Sequence, residues 1–105
     1  KEFAMMKLSA ILVNAARGPI VDPKALYEAL KSNVIAGAGL DVTEPEPILM
    51  DDPLLTLDNC VIAPHIGSAS VATRNKMALL SAQNIIAYFQ NKPMPTCVNP
   101  EVLSS

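Results

Sequence analysis

Three short apolar runs, each bounded by turn signals, constrain this chain more than any other feature. They are Ala10-Ile11-Leu12-Val13-Asn14, Ala38-Gly39-Leu40-Asp41-Val42 and Cys60-Val61-Ile62-Ala63-Pro64. With a helical stretch between the first two, they read as buried parallel strands. Each run leads into one reactive side chain: Arg17, Glu46 and His65, the only histidine in the chain. Ligands of parallel α/β sheets sit in the crevice beyond the strands' carboxyl ends, so these three groups are expected to converge there. An arginine, a carboxylate and a histidine together suit the movement of a proton beside a held anion.

A chain of 105 residues is enough for one small domain. Half of its residues are apolar and 17% are charged, which fits an ordered globular protein. A formal charge of −2 offers no basic field for nucleic acid or an anionic membrane. Two Tyr, two Phe and no Trp make a base-stacking platform an unexpected function. One histidine and the distant Cys60 and Cys97 give no metal-ligand spacing. The two cysteines give no disulfide framework either, and Cys60 reads as an inert core thiol. No run approaches the roughly 18 apolar residues that span a bilayer, and no signal peptide is visible. Because the chain starts at Lys1 without Met, we expect it to begin mid-protein.

Between the first two runs, Asp22-Pro23 is a strong helix start, with Asp as N-cap and Pro at the first helical position. The helix should cover Pro23 to Ser32, with Leu26, Ala29 and Leu30 on one apolar face. From Thr43 to Asn59 the prolines at 45, 47 and 53 rule out a regular helix or central strand, and Leu54 to Leu57 should form a short turn packed on the sheet. The third strand should lie at about Val61 to Ala63. A long helix capped by Ser68 or Ser70 should then run to about Gln90. Residues such as Met77, Leu79, Leu80, Ile85, Ile86 and Phe89 spread apolar surface over well more than half of it. One sheet covers only a stripe of about 100°, so this helix is expected to need a second domain or a partner chain. Lys1 to Lys7 reads as the last turns of a helix, and Pro93, Pro95 and Pro100 favour an extended tail.

The three reactive groups have distinct chemistry. Histidine exchanges protons near neutrality. Glu46, between Pro45 and Pro47, sits on restricted backbone that presets its direction. A carboxylate beside an imidazole fixes its tautomer and favours its charged form. Asp41 and, more weakly, Glu44 are alternative partners for the imidazole. The guanidinium of Arg17 offers a fork of donors that matches a carboxylate. Two motif-like features fail. Gly37-Ala38-Gly39 resembles the opening of a phosphate loop, but Val42 stands where a third glycine belongs, and the run precedes a strand instead of following one. Ser68 and Ser70 lie near His65 without a nucleophile elbow.

Taken together, these stretches resemble the D-isomer-specific 2-hydroxyacid dehydrogenases, in particular the glyoxylate/hydroxypyruvate reductases. The resemblance rests on Leu12 to Gly18, Gly39 to Pro47, Asp52-Pro53-Leu54-Leu55 and Asn59 to Ala69, and continues through Thr73-Arg74, Met77 and Asn84. It covers nearly the whole chain in the family's order and spacing. It implies an α/β fold: the C-terminal half of a Rossmann-like doubly wound parallel sheet, about three strands, plus a long C-terminal helix. Residues 1–91 would be a partial NAD(P)-binding domain with the returning helix, and 92–105 an extended tail of a substrate domain. Arg17 would bind the substrate carboxylate and polarise the 2-oxo group. His65 would be the general acid in reduction and the base in oxidation, paired with Glu46. Asn14, Ala15, Ala16, Asp41, Gly67 and Ser68 would line the NAD or NADP cofactor, with Asp41 near the nicotinamide carboxamide. The implied activity is hydride transfer between NAD(P)H and a small 2-oxo acid, giving a D-2-hydroxy acid, in a cytoplasmic homodimer that binds neither nucleic acid nor membrane. Organellar targeting stays open, as does the choice between NAD and NADP. The family's G-x-G-x-x-G turn is not among these residues, so a C-terminal fragment, inactive alone, is expected. A non-catalytic, nicotinamide-sensing scaffold resembling the superfamily's corepressors is the alternative.

Overall fold

The computed structural model of the chain describes residues 1–103. It divides into two compact units, residues 1–67 and the residues from Ser68 onward. The first unit holds strand β1 (Ile11–Asn14), helix α1 (Pro23–Lys31), strand β2 (Gly37–Leu40) and strand β3 (Cys60–Ile62). The strands form one parallel sheet in the order β1-β2-β3. Leu12 stands opposite Ala38 and Asn14 opposite Leu40, while Ala38 and Leu40 face Cys60 and Ile62 on the other side. All three strands therefore end at one edge, and the loops bearing Arg17 and His65 leave that edge on either side of β2.

Helix α1 forms where the sequence supplies its ends. The Asp22 carboxylate accepts from the backbone N–H groups of Lys24 and Ala25 at 2.9 and 3.1 Å, satisfying two donors that the first turn leaves unpaired. At the far end Asn33 takes a left-handed conformation (φ 52°), and Val34 N–H returns to the Ala29 carbonyl at 2.8 Å. The Asn59 side chain donates to the Leu30 carbonyl, tying the entry of β3 to this helix end. As the spacing predicts, Leu26, Ala29 and Leu30 are buried, packed with Ile35, Ala38, Leu40 and Leu54. Leu54 sits in a 3₁₀ turn, Pro53–Thr56, started by the Asp52 side chain. Each such leucine withdrawn from water contributes about 1.5–3 kcal/mol, so this one-sided layer supplies most of the unit's apolar burial.

Three expectations change. The strands are buried on one face only: Ile11, Val13 and Val61 point to the face opposite α1 and are 68–73% exposed. Their apolar character reflects a sheet suited to cover on both faces, and the described residues cover one. Near the start, Phe3–Met5 forms a single 3₁₀ turn closed by Met6 N–H on the Phe3 carbonyl in place of α-helical turns. The tail, expected to be extended, folds back. The Asn84 side chain donates to Thr96 Oγ1 at 2.6 Å and accepts from Thr96 N–H at 3.1 Å, and a 3₁₀ turn comes next at Pro100–Leu103. Residues 104 and 105 of that expected tail lie outside the described residues.

Helix α2 (Val71–Phe89) makes up most of the second unit, with Ser70 as N-cap accepting from Thr73 N–H. None of its residues is buried, and Phe89 is 79% exposed. The excess of apolar surface read from the sequence is thus present on the helix.

Candidate active site

The loop after β1 is built around Asn14, the last residue of the strand and the buried polar side chain among the described residues. Its Oδ1 accepts from Ala16 N–H at 3.2 Å and its Nδ2 donates to the Arg17 carbonyl at 2.9 Å. The Asn14 carbonyl also accepts from Asp41 N–H at 2.9 Å, so the ends of β1 and β2 are joined. Ala15, Ala16 and Arg17 stand exposed on top of this turn. The Arg17 guanidinium reaches only the neighbouring Ala16 carbonyl, at 2.6 Å, and pairs with no carboxylate among the described residues. Gly18 is buried directly against the Thr43 carbonyl, and a Cβ there would collide with the backbone of Thr43. The loop after β1 therefore packs on the segment that leads to Glu46.

Glu46 and His65 do meet. His65 Nδ1 lies 2.5 Å from Glu46 Oε1, and the two side chains are 43% and 41% exposed. A carboxylate can only accept, so this contact places a proton on Nδ1 and leaves Nε2 as the nitrogen that can exchange one with a ligand. The pair has little structural value, because half-exposed ion pairs contribute about 0.2–1 kcal/mol. On the other side, Thr43 Oγ1 donates to the Pro45 carbonyl and steadies the acidic segment.

His65 itself has a left-handed backbone (φ 54°), a region non-glycine residues rarely occupy and one that clusters at functional sites. Its N–H bonds back to the Ala63 carbonyl at 3.0 Å, which closes a tight turn over Pro64. Asp41 anchors the two residues after the histidine. One carboxylate oxygen accepts from Ile66 N–H at 2.7 Å and the other from Gly67 N–H at 2.9 Å. These two bonds, Gly67 first, and then the neighbouring His65, hold the Asp41 carboxyl below its ordinary pKa. A Cβ on Gly67 would come within 2.8 Å of Asp41 Oδ2, so the contact needs glycine at that position.

The imidazole's partner is therefore Glu46. Asp41, weighed as an alternative, binds the backbone beyond the histidine instead, and the Glu44 side chain forms no ion pair with His65. Sequence reasoning missed this anchoring role of Asp41 and the inward turn of the Asn14 side chain. An Asp just past one strand and a glycine two residues after the histidine were the available signals. Ser68 opens the second unit and is half-buried. Cys60, half-buried in β3, has its thiol pKa pushed up, by desolvation first and by the nearby Asp52 charge second, as an inert thiol should.

Residues 1–67 match the model of the D-isomer specific 2-hydroxyacid dehydrogenase, NAD binding domain. The chain belongs to this family. Among relatives of this chain, the glyoxylate reductase of Korarchaeum cryptofilum is 55% identical over 103 residues, which is 98% of the chain and 31% of the relative. The human glyoxylate reductase/hydroxypyruvate reductase is 54% identical over 94 residues, 90% of the chain and 29% of the relative. Among solved structures, an NADPH-dependent glyoxylate/hydroxypyruvate reductase from Sinorhizobium meliloti, in complex with NADP and malonate, superposes with a TM-score of 0.77 at 41% identity, covering 90% of this chain and 29% of that one. The chain thus spans about 30% of the length of the relatives it matches.

Proposed function

We propose that the whole protein reduces a small 2-oxo acid of the glyoxylate or hydroxypyruvate type to a D-2-hydroxy acid with NADH or NADPH. The observation that carries this reading is the 2.5 Å contact between Glu46 and His65 at the carboxyl edge of a parallel sheet. It is supported by the guanidinium of Arg17 on the neighbouring loop, which forms no ion pair among the described residues. Relatives 54–55% identical over 90% or more of the chain are named glyoxylate reductase and glyoxylate reductase/hydroxypyruvate reductase.

The chain's residues fit the cofactor's nicotinamide end. Ala15 and Ala16 present short, exposed side chains beyond β1, and Gly67 presents none. Ala15, Ala16, Asp41, Gly67 and Ser68 would line that end, while Asn14, which the sequence also suggested for the lining, turns its side chain into the loop beneath them. The cofactor, when bound, exchanges the hydride with the substrate's C2. Arg17 binds the substrate carboxylate through its fork of donors and draws electron density toward the 2-oxo oxygen. His65, carrying a proton on Nε2, gives it to that oxygen as the carbonyl is reduced, and takes it back when the hydroxy acid is oxidised. Glu46 keeps the Nδ1 proton throughout, fixing the ring's orientation and balancing the imidazolium charge. In this reading residues 1–91 are part of the NAD(P)-binding domain with its returning helix, and the residues from 92 on lead to a substrate domain. That domain, or the second subunit of a homodimer, would cover the apolar surface of α2.

The test is NADH and NADPH oxidation by the whole protein with glyoxylate and with hydroxypyruvate. Turnover that depends on the oxo acid is expected with at least one pairing. No oxidation with either acid and either cofactor would reject the reading.

A further inference from the structure

Asn14 is the one polar side chain that the described fold buries, being 6% exposed, and both of its polar ends are spent on the loop that carries Arg17. Its Oδ1 holds Ala16 N–H in a turn that mimics backbone geometry. Its Nδ2 donates to the Arg17 carbonyl at 2.9 Å, so both ends of the amide are engaged by its own loop. Gly18 adds a constraint from the other direction, because the close approach of Thr43 leaves no room for a side chain. Arg17 is thus held between an internal bracket at its own carbonyl and a backbone contact at the next residue. Its extended backbone (φ −149°, ψ 145°) sends the side chain out from a loop with little freedom to shift.

We infer that Asn14 is a positioning residue for the substrate: its buried amide fixes the Arg17 backbone so that the guanidinium meets the carboxylate of the oxo acid, and it does not act through the cofactor. The inference rests on the proposed role of Arg17. A carboxylate at position 14 would keep the acceptor for Ala16 N–H but lose the donor to Arg17, setting two oxygens against each other. A serine would keep a weaker acceptor for the same turn and reach the Arg17 carbonyl no longer. Loop displacements on the 1 Å scale at a reacting site cost up to about a hundredfold.

The experiment compares the whole protein with its Asn14→Asp, Asn14→Ser and Arg17→Ala variants. It reads kcat and KM for glyoxylate, Ki for oxamate, and Kd for NADH or NADPH by fluorescence titration. Asn14→Asp and Asn14→Ser should raise KM and Ki together by about tenfold or more, with cofactor Kd unchanged. In the Arg17→Ala background Asn14→Ser should add less than about twofold, since coupled sites are not additive. If Asn14→Asp does not fold, Asn14→Ser decides. Unchanged KM and Ki would overturn the inference, as would an equal further loss in the Arg17→Ala background or a raised cofactor Kd with KM for the acid intact. Normal turnover and KM in Arg17→Ala alone would overturn the underlying role of Arg17, a separate failure.

Discussion

Replacing Glu46 by Gln separates a catalytic pair from a structural one. The change keeps the size of the side chain and removes the charge that faces His65 Nδ1 at 2.5 Å. Both side chains are more than 40% exposed, so the pair contributes about 0.2–1 kcal/mol to folding, and the denaturation midpoint should barely move. The catalytic cost is larger. When His65 holds a second proton, its Nδ1–H bond to a carboxylate is a hydrogen bond to a charged group, worth about 1.5–3 kcal/mol. At about 1.36 kcal/mol per factor of ten, and taking the lower part of that range for a half-exposed pair, turnover should fall about tenfold. The assay is steady-state oxidation of the reduced cofactor, NADH or NADPH, with saturating glyoxylate, run beside urea denaturation of the same preparations. Turnover within twofold of the unaltered protein would refute the pairing as part of proton transfer. A large loss of stability would show that the contact is structural after all.

Other expectations come from single contacts. The Asp41 carboxyl should titrate below the usual value for an aspartate, because it accepts from Gly67 and Ile66 N–H groups. A pKa depressed by folding adds stability above the unfolded value, about 3.9, and loses it as pH falls through the folded value; carbon-detected NMR of the carboxyl group reads both. Replacing Asp22 by Ala removes a cap that accepts two N–H groups and should cost about 1 kcal/mol in urea denaturation. Leu26→Ala, at 1% exposure, should cost about 2–5 kcal/mol. Cys60 should react more slowly with iodoacetamide at pH 8 than a free cysteine, since burial holds its thiol protonated.

The strands and α1 were legible because local rules and tertiary packing agree there. An Asp-Pro start, apolar residues three and four apart, and a stop at Ser32-Asn33 all specify the helix that forms. Of the three groups expected to converge past the strand ends, Glu46 and His65 touch, while the Arg17 guanidinium bonds to the Ala16 carbonyl of its own loop. What stayed hidden depends on the direction a side chain takes. A period of two or three residues cannot say that Asn14 turns inward to its own loop, or that Asp41 reaches the backbone at 66 and 67 instead of the imidazole. Nor do apolar strands say which of their faces is covered: Val13 and Val61 are as hydrophobic as the residues that α1 buries, yet they are exposed. The tail misled for a similar reason, because the prolines favour extension while Asn84 folds the chain back at Thr96.

The most direct measurement is the hydride-transfer rate in a single turnover of the whole protein with His65 replaced by Ala, alongside binding of the reduced cofactor, NADH or NADPH. Loss of the proton donor should slow the step by about 10²–10⁴-fold while the cofactor binds as before. A near-normal rate with glyoxylate would contradict the assignment of His65 as the acid.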